Sequence, residues 1–256
     1  MNFILIIVLG LLPSTIWLLF FLRKDVHPEP KSMILKVFFL GALIAPIAAL
    51  GSTGFQEVLL DLNLSVISPA FFLLYWFVGV GAIEEILKYL VVRFSVLSHH
   101  EFDEPTDAML YMIISGLGFA GLENVLIVMS QAILKQPFGE TLFLVGYRFL
   151  TAIFLHAFCS ALIGYFLALS IYQTRNQFKL ISIGLGSAAF IHGLYDICAT
   201  KIYEILDEAN RNVVILDYKP LIFFSIVFFA ILIGLAVFII SGFKKLKKIK
   251  SICTIK

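Results

Sequence analysis

Glu84, Glu85 and Lys88 sit inside the apolar stretch GVGAIEEILKYLVV, the lysine four residues from one carboxylate and three from the other. On a helix both spacings bring the ammonium onto the same face as a carboxylate, so Lys88 can pair with either. One ammonium cannot neutralise two adjacent carboxylates. The second must take a proton, water or a partner from elsewhere in the chain, the condition in which a carboxyl works as general base or acid. Further polar groups stand in equally apolar surroundings: Glu123-Asn124 in GLGFAGLENVLIV, His156 in FLHAFCSALIGY, and His192 with Asp196 in AAFIHGLYDIC. A histidine alone in a helix is most often a hydrogen-bonded core residue. His192, however, has Asp196 four residues on, where a carboxylate can fix the tautomer and orientation of an imidazole. Carboxylates, imidazoles and an amide are the groups that activate a water and stabilise an oxyanion. They act together only if the segments that carry them form one bundle.

Those segments are membrane spans. The chain has 256 residues, 61% hydrophobic and 14% charged, with a mean hydropathy of +1.00. A soluble domain carries about 25% charged residues, so a water-soluble fold is excluded, as is a disordered chain. With a net charge of +2, nucleic acid is not an expected partner. A span needs about 20 mostly apolar residues, and seven are expected, at about 3–22, 33–51, 68–92, 108–131, 142–170, 180–199 and 220–242. The first lacks a basic leader and a small-residue cleavage site and is followed by Arg23-Lys24, so it is read as a span. With the N-terminus outside, 14 of the 19 basic residues fall on the inner side, KKLKK at 244–248 among them. This bias predicts an N-out, C-in arrangement. The expected fold is all-α, a polytopic membrane helix bundle forming a single domain over 1–256 in the cell membrane. Charges at the centre of a bilayer cost about 2.5–3.5 kcal/mol each on insertion scales and mark functional sites.

Other features have simpler readings. Apolar residues at helical spacing over 55–67 and 202–217 predict two helices lying on the interface. Arg148, near the outer end of its span, is expected to snorkel to the surface. Gly116, Gly118 and Gly121 permit close helix approach. His99, His100, Glu101, Asp103, Glu104 and Asp107 have no metal-ligand spacing, and Pro105 with Thr106 or Asp107 reads as a helix start. Cys159, Cys198 and Cys253 form neither a disulfide framework nor a metal knuckle.

Glu84-Glu85-x-x-Lys88 resembles the EExxK motif of the PrsW family of bacterial membrane proteases, which shares a superfamily with the CAAX prenyl endopeptidases. Adjacent glutamates are common, but the likeness continues along most of the chain. It takes in the loop Asp25-Val26-His27-Pro28-Glu29-Pro30, Glu101-Phe102-Asp103-Glu104-Pro105, and Gly118-Phe119-x-x-x-Glu123-Asn124. His156 and His192-Gly193-x-Tyr195-Asp196 complete it. The resemblance implies site-1 cleavage of a membrane protein, such as a single-span anti-sigma factor, on the outer side of the membrane as part of a stress response. It places Glu84, Glu85, Lys88, Glu123, Asn124, His156, His192 and Asp196 in the site.

The expected mechanism is peptide hydrolysis without a cofactor. Glu84 or Glu85, held by Lys88 and coupled to Glu123, activates the water; His156 or His192 assists, Asn124 is a second oxyanion donor, and Asp196 orients His192. One rival is a zinc protease with Glu123, His156, His192 or Asp196 as ligands and Glu85 as base. It has no HExxH, so its ligands would have to come from several helices. The rival from another class is a proton-coupled transporter, since chains of Glu, His and Asp also relay protons.

Overall fold

The structure is a computed structural model that describes residues 2–23, 28–100, 102–172, 176–210 and 218–249. The predictions that fall on Lys24, Asp25, Val26, His27, Glu101, Arg175, 211–217, Lys250, Cys253 and Lys256 lie outside the described residues. Every regular element described is helical: α1 (Phe3–Leu22), α2 (Lys31–Asp61), α3 (Pro69–Leu74), a π-helical segment (Tyr75–Ala82), α4 (Ile83–Ser95), α5 (Pro105–Ile133), α6 (Phe138–Leu150), α7 (Ala152–Tyr172), α8 (Gln177–Asn210) and α9 (Tyr218–Leu246). Seven helical stretches are long and apolar enough to cross a membrane, each overlapping one expected span. Large apolar side chains such as Leu50 and Phe143 cover the outside of the bundle, exposed by 74% and 77%. Such a coat faces lipid in a multi-pass membrane protein.

Helix α5 is the axis of the bundle. It is buried almost without interruption from Pro105 to Gly121 and packs against α1, α2 and α7. Lipid tails are as apolar as leucine, so close approach rather than a hydrophobic drive holds such helices together. Two glycines provide it. A Cβ at Gly118 would collide with the carbonyl oxygen of Phe38 on α2, and one at Gly116 would lie 2.8 Å from the backbone oxygen of His156 on α7. The start of α5 is a capping box: Asp107 Oδ2 accepts from the backbone N–H groups of Asp103 and Glu104, at 3.0 and 2.7 Å, just ahead of Pro105. Tyr111, one turn further on, donates to Glu29 Oε2 at 2.6 Å, which ties the loop before α2 to the axis.

Two expectations change. The stretch 55–67 does not form a separate interfacial helix: α2 runs unbroken to Asp61 and ends in a turn with Asn63 at φ 59°. Likewise α8 continues to Asn210. Both helices are longer than the ~20 residues a bilayer requires, and the apolar spacing extends the span's own face. The fifth span is broken rather than continuous. Between α6 and α7, Thr151 stands at φ −122°, ψ −80°, and the carbonyl of Phe149 accepts the indole N–H of Trp17 on α1 at 2.9 Å. A break exposes backbone carbonyls that need an outside donor, and Trp17 is that donor.

Candidate active site

Five elements bring their polar residues to one place. Glu84, Glu85 and Lys88 lie on α4, immediately after the π segment. Glu123 and Asn124 come from α5, Arg148 from α6, His156 from α7, and His192 with Asp196 from α8. The π segment is set against α8 through missing side chains. A Cβ at Gly81 would lie 2.5 Å from the carbonyl oxygen of Ala189, and one at Gly193 would lie 2.7 Å from that of Trp76. The Phe77 and Phe190 rings stack beside them at 5.1 Å. The Ser115 hydroxyl on α5 donates to the Lys88 carbonyl at 3.1 Å and fixes α4 against the axis.

Lys88 is the centre of the inner layer and is fully buried. Its Nζ lies 2.8 Å from Glu85 Oε1, 3.1 Å from Glu84 Oε2 and 2.9 Å from His156 Nδ1. An ammonium has three protons and no acceptor, so these three contacts use all of them. The Phe119 ring lies 4.1 Å from Nζ on a further side, a favourable cation–π placement. Because Lys88 only donates, His156 Nδ1 accepts. The imidazole proton is therefore on Nε2, which donates to Glu123 Oε2 at 3.0 Å. His192 Nδ1 donates to Glu85 Oε1 at 2.8 Å, which directs Nε2 toward Glu84 Oε2 at 3.7 Å and Asp196 Oδ2 at 3.5 Å.

The outer layer is more accessible. Glu85 and Lys88 side chains are wholly enclosed, whereas Glu84 is 13%, Asp196 20% and Glu123 33% exposed. The expectation that Arg148 snorkels away is overturned. It turns inward, donating from Nη2 to Glu123 at 2.9 Å and from Nε to Asn124 Oδ1 at 2.6 Å. Two acceptors already wait there, the half-buried Glu123 and the buried Asn124, and pairing with them outweighs reaching the surface. Asn124 is engaged at both ends, its Nδ2 donating to the Gly10 carbonyl on α1 at 3.3 Å. It joins α1 to Arg148 instead of facing the open side. Sequence reasoning had set Arg148 aside, yet four carboxylates against one lysine is a deficit that a second buried cation should fill.

The expected residues are thus brought together, with two changes of neighbour. His192 is oriented first by Glu85, with Asp196 further off. Glu84, His156 and His192 each offer a donor atom within 4.8 Å of the others, so Glu84 occupies the place given to Glu123 or Asp196 in the zinc alternative. Such a group can hold a metal ion. Each of its histidines has its other nitrogen on a carboxylate, the arrangement that orients metal-binding imidazoles. Glu84, Glu85, Glu123 and Asp196 also outnumber the fixed cations Lys88 and Arg148 by two, and Glu85 Oε2 and Asp196 Oδ2 are buried without a hydrogen-bond partner. On donor type and charge the residues fit a divalent ion. Against it stands Lys88, whose ammonium already contacts two of the three donors.

Comparison with known proteins gives this arrangement its context. Residues 29–237 match the model of a family described as "PrsW family intramembrane metalloprotease". The chain is 31% identical over 178 residues to Protease PrsW of Geobacillus kaustophilus, covering 69% of this chain and 71% of that protein. It is 31% identical over 200 residues to Protease PrsW of Bacillus subtilis, covering 77% and 84%, and 29% identical over 191 residues to Protease PrsW of Oceanobacillus iheyensis, covering 73% and 79%. No solved structure matches the chain significantly. A family model that spans most of the chain, relatives that share its length and a polar centre assembled across its spans agree: the chain belongs to the PrsW family of intramembrane proteases.

Proposed function

We propose that the whole chain, 1–256, works as one membrane-embedded endopeptidase domain that hydrolyses a peptide bond with a water activated at Glu84. The observation that carries this reading is the convergence of Glu84, His156 and His192 around Lys88 on the more open side of the centre. Glu84 is the base because it combines partial exposure with a fixed cation 3.1 Å away. Glu85 is fully enclosed and holds Lys88 and His192 in position. Glu123, itself fixed by Arg148, does the same for His156. A general base of this kind contributes about 10²–10⁴-fold.

The substrate class is a single-span membrane protein such as an anti-sigma factor, cut near the outer face. The support is the family's motif order along the chain. Proteome-wide comparison of membrane-protein N-termini between cells with wild type and cells with Glu84→Gln tests it. New termini close to a single span, absent with Glu84→Gln, support the reading. Identical termini in the two strains, with the variant stably inserted, point to the transporter instead.

A second reading rests on the donor set and the charge excess. A divalent ion such as zinc would be held by Glu84, His156 and His192, and when bound it would supply a Lewis acid and a more acidic water. In that case Lys88 keeps Glu85 and gives up its two other contacts. Metal analysis of the purified full chain separates the readings. A stoichiometric ion that Glu84→Gln loses supports the second, and full cleavage by exhaustively chelated protein supports the first.

A further inference from the structure

Helix α1 precedes the stretch 29–237 that matches the family and carries none of the residues expected in the site. It nevertheless reaches the site twice, through Gly10 and Trp17, seven residues apart. Two turns of helix put these positions on nearly the same face, and α1 packs against both α5 and α6. The first contact sets the direction of an amide. Gly10 has no side chain, and a Cβ there would lie 2.6 Å from the Val125 Cα on α5. This approach lets the Gly10 carbonyl accept from Asn124 Nδ2 at 3.3 Å. With the nitrogen end of the amide taken, Oδ1 is left to accept from Arg148 Nε at 2.6 Å.

The second contact holds the backbone. Arg148 lies in the last turn of α6, which has 13 residues and stops at the break. The last four carbonyls of a helix have no partner within it, and that of Phe149, the residue after Arg148, is one of them. Trp17 Nε1 donates to it at 2.9 Å. The half-buried Trp17 ring lies 5.6 Å from the Phe149 ring on α6 and 5.2 Å from the Phe154 ring on α7. One side chain therefore spans the break at Thr151. From there the geometry runs inward: Arg148 Nη2 lies 2.9 Å from Glu123 Oε2, and the same oxygen lies 3.0 Å from His156 Nε2.

We infer that Trp17 is a positioning residue for peptide hydrolysis: its indole N–H fixes the end of α6 so that Arg148 holds Glu123, and Glu123 in turn holds His156 beside Lys88. The inference rests on the hydrolytic reading. The Gly10 carbonyl fixes the head of the same arginine through Asn124, so α1 clamps Arg148 at both its backbone and its guanidinium. Trp17 acts through Arg148 and takes no part in the bond changes. An aromatic residue that only packed would hold the break with its ring and not with its N–H.

The test replaces Trp17 by benzothienylalanine, whose sulfur stands where the indole N–H was, in the full chain in detergent micelles. The probe is a single-span membrane protein that wild type cuts and Glu84→Gln does not. The ring still packs on Phe149 and Phe154, and one donor is gone. The expected result is a loss of about three- to tenfold in kcat, the effect of one hydrogen bond, with KM within about twofold. Introduced into Arg148→Lys, the same replacement should change kcat by less than about twofold, because both losses lie on one path. Trp17→Phe, which also lacks the donor, should repeat both results. A wild-type kcat for the sulfur isostere overturns the inference, even where Trp17→Phe is impaired, and so does an equal loss in the Arg148→Lys background. Those results remove the role of Trp17 alone and leave the hydrolytic reading standing. If no protein is cut by wild type and spared by Glu84→Gln, the hydrolytic reading falls and takes the inference with it.

Discussion

Lys88 Nζ lies 2.9 Å from His156 Nδ1, an ammonium donating to an imidazole inside a membrane bundle. That contact fixes the tautomer of His156, and through Nε2 it couples Lys88 to Glu123 and Arg148. Lys88 also holds Glu84 and Glu85. The polar centre is therefore one connected network from α4 to α6, and removing any member leaves a buried partner exposed to its own desolvation cost.

Lys88→Met removes the ammonium and leaves the enclosed Glu85 carboxylate with only its His192 contact. Breaking a buried pair in this way costs about 3–5 kcal/mol, so the thermal transition of the purified protein should fall sharply and cleavage should vanish. Combining it with Glu85→Gln removes the orphaned charge. The double variant should recover part of the stability and none of the activity, a non-additivity read directly from the four unfolding curves.

Glu85→Gln separates holding from catalysis. The amide keeps the shape of Glu85 but weakens its bonds to Lys88 and His192. Loss of an orienting carboxylate typically costs about 10–100-fold, less than the loss of a base. Cleavage rates of purified Glu85→Gln should therefore fall within that range. Complete inactivity, with Glu84→Gln still active, would exchange the roles of the two glutamates.

Arg148→Lys tests the inward arginine. A lysine offers no planar fork to reach Glu123 and Asn124 together, so kcat should drop by about tenfold or more despite the retained charge. The same change in a residue that merely snorkels would leave the rate at wild-type level. Rate measurements on the variant in micelles decide between them.

The distribution of Lys and Arg predicts an N-out, C-in arrangement. Single cysteines placed in a cysteine-free background at Asn2 and near Lys248 should differ in their access to an impermeant maleimide added to intact cells: Asn2 labelled, 248 protected. The reverse pattern would invert the bundle and move the outer layer of the site to the inner face.

Much of the site was legible because charge in an apolar stretch has no neutral explanation. Glu84, Glu85, Lys88, Glu123, His156 and His192 stood out on that ground, and the seven spans followed from hydropathy. Arg148 did not stand out, because an arginine near the end of a span has an adequate role at the surface. Its pairing depends on the break at Thr151, which no proline or glycine marks. The π segment was equally silent. YWFVGVGA is uniformly apolar, and its backbone class is set by packing on α8 at Gly81 and Gly193 rather than by local preference. Asn124 was read as an oxyanion donor; its contact with Gly10 was not legible, since it requires knowing that α1 crosses α5 there.

The central claim is that Glu84 activates the water that cuts the peptide bond. Its most direct test is cleavage of a single-span substrate by purified wild type and by Glu84→Gln, which is nearly isosteric, with folding checked by the thermal transition. The account predicts one new terminus with wild type and a loss of at least about 10²-fold in the variant. A folded Glu84→Gln protein that cuts at the wild-type rate would contradict it.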